Sequence, residues 1–300
     1  MPFSLPPVSR RRFLLGSVGG ASAILLGARV GRGEEVDPNR FALLADTHID
    51  ADPATETRGV VMAKHLEMVR QELLKDGKKH VAVFVGGDCA YLKGESDDYL
   101  TLIDLLEPMR EAGLPVHLAL GNHDNRERMW AALKEKGRSP SEIVERQLTI
   151  VESPHANWFV LDSLDETNKT PGVLGKAQLD WLAERLDHYS SKPALLMVHH
   201  NPDWREGTTG LTDTEQLFQV CEKRRHVKAL FFGHTHRVSY TQKQGIHLVN
   251  LPPVAYVFSE GNPSGWVDAT VRENGIDLRL RSIDTTHPLH DKVTKLDWLN

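Results

Sequence analysis

The sequence predicts an α/β fold built on a largely parallel sheet, and three observations support that prediction. Short runs of apolar and β-branched residues alternate with longer segments whose apolar residues recur at helical spacing. Several of these runs end directly in glycine, acidic residues or histidine. Beyond residue 238, only short strand patterns follow. Alternating strands and helices form parallel sheets, in which the carboxyl ends of the strands lie along one edge and bind ligands.

The first half of the chain repeats a strand, a polar cluster and a helix three times. The strands are predicted at 40–45, 80–85 and 115–120, and the helices at 56–76, 97–111 and 125–146. The strand at 80–85 is almost continuously apolar, as expected of a central parallel strand that is covered on both faces. Gly77 and Gly113 follow the first two helices, where glycine commonly ends a helix.

The second half is less regular and changes character near its end. Strands are predicted at 147–151, 157–162, 194–198 and 227–232, with helices at 175–190 and 212–225. Five short strands are then predicted at 238–242, 246–250, 254–258, 265–273 and 276–282. Asn274-Gly275, between the last two, is a strong hairpin signal. We expect these five strands to build a second sheet that packs against the first within a single domain, residues 34–300.

Residues 1–33 are predicted to be an export signal. They combine a basic segment, Arg10 to Arg12, with sixteen uncharged residues from Phe13 to Ala28, and they contain no acidic residue. Ser9 to Leu15 resembles the twin-arginine consensus and departs from it only at Leu15. That resemblance implies export of the folded protein to the periplasm or beyond. An uncleaved membrane anchor is the alternative, because no clear Ala-x-Ala cleavage site stands at the right position.

The charge balance argues against a general nucleic-acid-binding protein. The leader holds five of the 36 basic residues and none of the 41 acidic ones, so the rest of the chain carries a net charge of −10. Nucleic-acid binding would require a basic surface instead. Cys89 and Cys221 are the only cysteines, too few for a disulfide framework, and we expect buried free thiols.

Five predicted strands end in residues of the types that bind metals. The candidates, in chain order, are Asp46, His48, Asp88, Asn122, His123, Asp124, His199, His234 and His236. Carboxylate, amide and imidazole ligands suit zinc, manganese or iron and differ from a thiolate site. They are too many for one ion, and a carboxylate can bridge two ions about 3.5–4 Å apart. Such a pair of ions activates water and suits phosphoester hydrolysis.

In type and order, these clusters resemble the five sequence blocks of the calcineurin-like metallophosphoesterases, which run Asp-x-His, Gly-Asp, Gly-Asn-His-Asp/Glu, His and Gly-His-x-His. The resemblance covers residues 40 to about 260 and implies a four-layer sandwich of two mixed β-sheets flanked by helices. It implies two divalent or mixed-valence ions and in-line attack by a hydroxide that bridges them. The implied ligands are Asp46, His48 and His236 for the first ion, Asn122, His199 and His234 for the second, and Asp88 as the bridge.

The same resemblance implies that His123 acts on the phosphate or the leaving-group oxygen and that Asp124 orients it. His199 and His200 are adjacent and would face opposite sides of a continuing strand, so the residues alone leave the choice of ligand open. The family pattern His-His-Pro-Pro favours His199. Arg205, on the loop after this block, is a candidate for binding a phosphate oxygen, and an ordinary exposed arginine is the alternative.

The pattern is most similar to the bacterial cyclic-nucleotide and glycerophosphodiester phosphodiesterases, which implies a small phosphodiester or phosphomonoester as substrate. Two alternatives stay open. Tyr91 lies three residues after Asp88, as in the purple acid phosphatases, whose tyrosine binds iron. A catalytically silent binding module on the same fold is the other, although no ligand position has been lost. The remaining histidines, His80 among them, are predicted to be ordinary surface residues.

Overall fold

The computed structural model describes residues 4–5, 36–75, 80–135 and 146–299. Apart from Ser4 and Leu5, the predicted export signal lies outside the described residues. Within the described ranges, no helix is both long and apolar enough to cross a membrane.

The described residues form fifteen strands and five helices. The strands are β1 (Ser4–Leu5), β2 (Arg40–Leu44), β3 (Glu56–Thr57), β4 (Val60–Val61), β5 (Ala82–Val85), β6 (Val116–Leu118), β7 (Thr149–Glu152), β8 (Asn157–Val160), β9 (Ala194–Met197), β10 (Val227–Phe232), β11 (Ser239–Lys243), β12 (Ile246–Asn250), β13 (Gly265–Arg272), β14 (Gly275–Ser282) and β15 (Val293–Asp297). The helices are α1 (Met62–Lys75), α2 (Ser96–Glu111), α3 (Arg126–Glu135), α4 (Lys176–His188) and α5 (Thr214–Glu222).

Two mixed sheets lie at the centre of the fold. The first has the strand order β1-β6-β5-β2-β13-β14-β15, and the second has the order β11-β12-β10-β9-β8-β7. In the first sheet β2, β5 and β6 are parallel, whereas β13 to β15 are antiparallel to their neighbours. In the second sheet β8, β9, β10 and β12 run parallel to one another. The chain therefore has the mixed two-sheet architecture that the sequence predicts.

Side-chain alternation along the strands separates three apolar layers. In β2, Ala42 and Leu44 face the helices α1, α2 and α3, whereas Phe41 and Leu43 face the second sheet. The layer between the sheets is aromatic: the ring of Trp158 lies 5.2 Å from Phe41, 5.0 Å from Phe84 and 5.1 Å from Phe231, centroid to centroid. The far face of the second sheet is covered by α4 and α5. The order of layers is thus helices, sheet, sheet, helices.

The predicted second sheet is wrong in its composition. The strands after residue 238 do not form a sheet of their own: β11 and β12 extend the second sheet beside β10, and β13 to β15 extend the first sheet beside β2. Short strands late in the chain can pair with either sheet, because their pairing depends on contacts that the local sequence does not specify. The five polar clusters follow strands of both sheets: three follow β2, β5 and β6 of the first sheet, and two follow β9 and β10 of the second.

Three predicted elements also differ from the structure. The helix predicted from residue 56 begins only at Met62, because β3 and β4 form a hairpin whose turn, Arg58-Gly59, has φ values of 55° and 78°. Two positive φ values in a two-residue loop fit a type I′ turn. Residues 254–258 form no strand, and β15 has no counterpart in the prediction. The predicted helix at 125–146 ends at Glu135 within the described residues.

Candidate metal centre and active site

The two sheets bring their strand ends together at one edge of the sandwich. Asp46 and His48 follow β2, Asp88 follows β5, and Asn122 and His123 follow β6 in the first sheet. His199 follows β9 and His234 and His236 follow β10 in the second sheet. The carboxylate and imidazole atoms form four groups within 4.8 Å, namely Asp46, His48 and His236; Asp46, Asp88 and His199; His48, Asp88 and His123; and His199, His200 and His234.

The backbone bends sharply at these residues to direct the side chains inward. Positive φ angles, between 46° and 67°, occur at Asp46, His48, Asp88, His234 and His236. Such angles strain residues other than glycine, and they persist where the surrounding structure holds them. Here the ends of β2 and β5 hold one another, because the amide of Asp46 donates to the carbonyl of Gly87 (3.0 Å) and that of His48 to the carbonyl of Asp88 (2.9 Å).

Glycine is required beside two of the carboxylates. A Cβ atom at Gly121 would lie 2.2 Å from Oδ1 of Asp88, and one at Gly233 would lie 2.4 Å from Oδ2 of Asp46. Real Cβ atoms do not approach oxygens that closely. The glycines of the sequence blocks therefore make room for the carboxylates as well as forming turns.

On the side of the first predicted ion, acceptor atoms face one another. Nδ1 of His236 donates a hydrogen bond to the carbonyl of Tyr256, so that its Nε2 carries a lone pair. That Nε2 lies 3.4 Å from Oδ1 of Asp46 and 3.1 Å from Nε2 of His48. Burial lowers the pKa of His48 to about 3, so its ring is neutral. A cation among these atoms could be held by the Asp46 carboxylate and by the imidazole nitrogens of His48 and His236.

The second side has the same character. His199 donates from Nδ1 to the carbonyl of Gly86 (3.0 Å), and its Nε2 lies 3.2 Å from Oδ2 of Asp88. Burial alone would lower the pKa of His199, but the Asp88 carboxylate outweighs that effect and the pKa is raised to about 9. A positive charge, either a proton or a metal ion, is therefore stabilised at this nitrogen. Oδ1 of Asn122 is buried without a hydrogen-bond partner among the described residues.

Asp88 lies between the two sides. Its Oδ2 is 3.2 Å from Nε2 of His199 and 3.8 Å from Nε2 of His48. Burial would raise the pKa of Asp88, yet the neighbouring His199 and His48 hold it well below its ordinary value. The residues therefore fit divalent metal ions: buried carboxylates converge with imidazoles, among them the neutral ring of His48, and His199 lies where a positive charge is stabilised.

His199 and His200 both face the site. The strand ends at Met197, so the alternation of faces no longer applies to these two residues. His199 contacts Asp88, whereas Nδ1 of His200 is 2.8 Å from the hydroxyl of Ser163 and its Nε2 is buried without a partner among the described residues. Burial keeps the pKa of His200 well below its ordinary value. The structure thus places His199 next to Asp88, the predicted bridge, and His200 against Ser163.

His123 and Asp124 have different surroundings from those the sequence suggests. Nδ1 of His123 donates to the carbonyl of Leu92 (2.7 Å), which leaves Nε2 free to accept or carry a proton toward the site. Asp124 does not hold the imidazole. Its oxygens accept hydrogen bonds from the amides of Cys89 (3.1 Å), Ala90 (3.0 Å) and Gly121 (2.8 Å), and burial raises its pKa to about 6. Asp124 therefore ties the Asp88 loop to the Asn122 loop.

Two further candidates have side-chain partners within the fold. The guanidinium of Arg205 is 82% exposed and binds the carboxylate of Asp203 through Nε (3.0 Å), so its charge is already neutralised. The hydroxyl of Tyr91 accepts a hydrogen bond from Thr57 in the β3–β4 hairpin (3.0 Å). Cys89 and Cys221 are buried and unpaired, as the sequence predicts.

Sequence reasoning missed several residues that surround the ligands. Tyr256 contacts His48 and Phe258 contacts His236, two of the candidate ligands. Arg58 lies over the rings of Tyr256 and Phe258, and the hydroxyl of Ser163 contacts His200. The only available signal was the Arg58-Gly59 turn, whose dipeptide is compatible with a hairpin. Tyr256 and Phe258 lie in a run, residues 254–258, that the sequence predicts to be a strand.

Comparison with known proteins settles the family. The calcineurin-like phosphoesterase family matches residues 39–238 of the chain. The chain belongs to this family. The phosphoesterase is 25% identical to a 3′,5′-cyclic adenosine monophosphate phosphodiesterase of Pseudomonas aeruginosa, over 75% of this chain and 79% of the relative. It is 29% identical to a probable cyclic nucleotide phosphodiesterase of Synechococcus, over 78% of this chain and 88% of the relative.

Solved structures share the fold of this phosphoesterase. A dimetal phosphatase from Danio rerio superimposes with a TM-score of 0.65 at 16% identity, covering 87% of this chain and all of that one. A purple acid phosphatase from yellow lupin gives a TM-score of 0.61 at 14% identity, covering 86% of this chain and 53% of that one. The family and the ligand clusters together imply divalent metal ions.

Proposed function

We propose that this phosphoesterase hydrolyses phosphodiesters at a binuclear metal centre, with cyclic nucleotides among its substrates. One observation carries the proposal: the Asp88 carboxylate lies within 3.2 Å of His199 and 3.8 Å of His48, and it belongs to candidate ligand groups on both sides. The relatives at 25–29% identity that are named cyclic nucleotide phosphodiesterases support the substrate class.

The ligands are assigned by side. Asp46, His48 and His236 would hold the first ion, and Asn122, His199 and His234 the second, with Asp88 shared between them. Two divalent ions bound there would activate water for in-line attack on phosphorus and stabilise the charge that develops. Manganese, iron and zinc all accept this mixture of oxygen and nitrogen ligands.

The chain's own groups would position the substrate and move a proton. The amide of His123 donates to Oδ1 of Asp88 (2.8 Å), which fixes the His123 ring next to the shared carboxylate. Because Nδ1 of His123 is committed to the carbonyl of Leu92, only Nε2 is available to protonate the leaving alkoxide. Asp124 keeps the loops in register and has no direct part in the chemistry.

A substrate panel with metal analysis tests the proposal. The purified protein is reconstituted with Mn²⁺, Fe²⁺ or Zn²⁺ and assayed on bis(p-nitrophenyl) phosphate, p-nitrophenyl phosphate and 3′,5′-cyclic adenosine monophosphate. We expect two ions per chain and faster turnover of the diesters. Asp88→Asn should lose activity by roughly 1000-fold or more, because both ions lose a charged ligand. One ion per chain, or a variant that keeps a tenth of the activity, would contradict the binuclear centre.

Two other outcomes identify the alternatives. A preference for the monoester, with a visible absorption band that disappears in Tyr91→Phe, would indicate chemistry like that of the purple acid phosphatases. Two bound ions without turnover of any of the three substrates would indicate a silent binding module. The hydrogen bond from Thr57 to Tyr91 makes the first of these outcomes the less expected one.

A further inference from the structure

An aromatic and cationic rim borders the metal site on the side of the first ion. Phe258 is 50% exposed, and its ring stacks on the imidazole of His236 with centroids 4.0 Å apart and planes inclined by 13°. The ring of Tyr256 lies 5.2 Å from that of His48 and 5.1 Å from that of His236. We call Arg58, Tyr256 and Phe258 the aromatic rim.

Arg58 completes this rim from the opposite end of the chain. Its Cζ atom lies 5.2 Å from the centroid of Phe258 and 5.9 Å from that of Tyr256, within the range of cation–π attraction. The residue sits at the exposed turn of the β3–β4 hairpin. Within the described ranges, no carboxylate pairs with its guanidinium. Arg58 therefore differs from Arg205, whose charge is taken up by Asp203.

The rim is held rigidly against the ligands. The amides of Val254 and Ala255 donate to the carbonyls of Ala45 and Asp46 (2.9 and 3.0 Å), so the segment that carries Phe258 follows the end of β2. Nδ1 of His65 donates to the carbonyls of Val254 and Ala255 (3.0 and 2.8 Å). A large aromatic side chain kept half exposed on such an anchored segment, beside a catalytic centre, is suited to contact with a ligand.

We propose that the aromatic rim binds the nucleobase of a nucleotide phosphoester. The inference rests on the proposed function, since the metal site fixes the phosphate and the organic group of the ester must then lie outside the ligand cluster. Among the described residues, no exposed aromatic ring stacks on a histidine of the second side: His199 and His200 are fully buried, and Gly172 packs against the ring of His200. Toward the first side the substituent meets the exposed ring of Phe258.

Stacking and charge both favour a base at this position. Every nucleobase presents a π-face to an aromatic side chain, and the planar guanidinium of Arg58 can stack on the same base. The positive charge of Arg58 also attracts an anionic ester toward an otherwise acidic protein. A purely aliphatic ester group would gain less from two aromatic rings and a guanidinium.

Equilibrium binding tests the inference without depending on turnover. The metal-loaded protein is titrated with adenosine 5′-monophosphate and with inorganic phosphate by calorimetry. We expect the nucleotide to bind the wild-type protein more tightly than phosphate. Phe258→Leu should weaken nucleotide binding by roughly tenfold and leave phosphate binding unchanged, because it removes only the π-face. Phe258→Trp should retain nucleotide binding.

A matched control separates the rim from any exposed aromatic residue. Trp204 is 41% exposed and carries Lys243 over its ring at 4.2 Å, but its ring packs on Phe218 and on no ligand histidine among the described residues. Trp204→Leu should leave both affinities unchanged. Arg58→Gln should weaken nucleotide binding more than phosphate binding; an equal loss for both would assign Arg58 to the phosphate and contradict its role at the base.

The outcomes distinguish failure of the rim from failure of the proposed function. If phosphate binds but the nucleotide binds no better, or if Phe258→Leu changes neither affinity, the rim does not recognise a base while the metal site stands. If the metal-loaded protein binds neither molecule, both inferences are overturned together. Equal melting temperatures of Phe258→Leu and the wild type would exclude a folding defect as the cause of weaker binding.

Discussion

A buried carboxylate lies near each end of strand β2, and the two carboxylates differ in the positive charge that faces them. At its start, the guanidinium of Arg40 binds both oxygens of Asp268 (2.8 and 2.6 Å), and Nε2 of His80 lies 3.1 Å from the same carboxylate. At its end, Asp46 faces the lone pair of His236. The first cluster has the permanent positive charge of Arg40, whereas among the described residues only histidines, and no arginine or lysine, pair with Asp46 and Asp88.

This difference separates a structural cluster from a functional one. Burial would raise the pKa of Asp268, but Arg40 and His80 hold it well below its ordinary value, so the carboxylate stays ionised inside the fold. Buried charges that find partners contribute to one folded state. Converging carboxylates and imidazoles that no arginine or lysine neutralises leave room for a cation supplied from outside.

The largest effect is expected from a single methyl group added at Gly121, beside Asp88 in the candidate metal site. Gly121→Ala places a Cβ atom within contact distance of Oδ1 of Asp88 and so displaces the shared carboxylate. We expect activity to fall by about 1000-fold and both ions to bind more weakly, as measured by phosphodiester turnover and metal content. In Gly86→Ala the nearest atom is 3.3 Å away, and most of the activity should be kept. Equal activity of the two variants would refute the steric argument.

At the Arg40–His80–Asp268 cluster, a substitution should reduce the stability of the fold and leave activity intact. Asp268→Asn leaves Arg40 and His80 without their anion, and we expect the free energy of unfolding to fall by roughly 3 kcal/mol at pH 7 with kcat retained. Because the folded-state pKa of Asp268 is lowered, its contribution is present above the ordinary value of 3.8 and fades as the pH falls below it. Urea unfolding at pH 7 and pH 3.5 should therefore show a smaller difference between variant and wild type at the lower pH. A constant difference would speak against the ion pair.

The smallest effect is expected behind the second side of the metal centre. Ser163→Ala removes the hydroxyl that contacts Nδ1 of His200, and supporting groups of this kind typically change metal affinity by 10–100-fold. We expect a change near tenfold for one of the two ions, measured by metal titration. Ser153→Ala is the matched control, since the hydroxyl of this buried serine donates to the carbonyl of Ala156 within the β7–β8 turn. If both variants bind metal alike, His200 does not act through Ser163.

The sequence predicted much of this site because its residues lie directly after strands. Asp46, Asp88 and His236 could be identified by type and position, since parallel strands deliver their ends to one place. The assignment of strands to two sheets could not be predicted, because β13 pairs with β2, more than two hundred residues earlier in the chain (Val267 with Leu43).

Other features depended on long-range contacts that local patterns do not record. His80 was predicted to lie on the surface, and that prediction is wrong: it is buried, because Asp268 comes to it from β13. Residues 254–258 look like a strand, yet their amides bond to the end of β2 and leave Tyr256 to orient His236. Apolar runs do not reveal whether they will pair in a sheet or line a site.

The positive φ angles of the ligand residues set stability and metal binding against each other. Glycine would adopt those angles of 46° to 67° without strain, but it has no side chain to bind an ion. Each such position therefore keeps a residue that the backbone disfavours, and the bound ions and the surrounding loops must compensate. Without metal, only the surrounding loops offset this strain, so a sequence relieved of it at these positions would give up side chains that can bind metal.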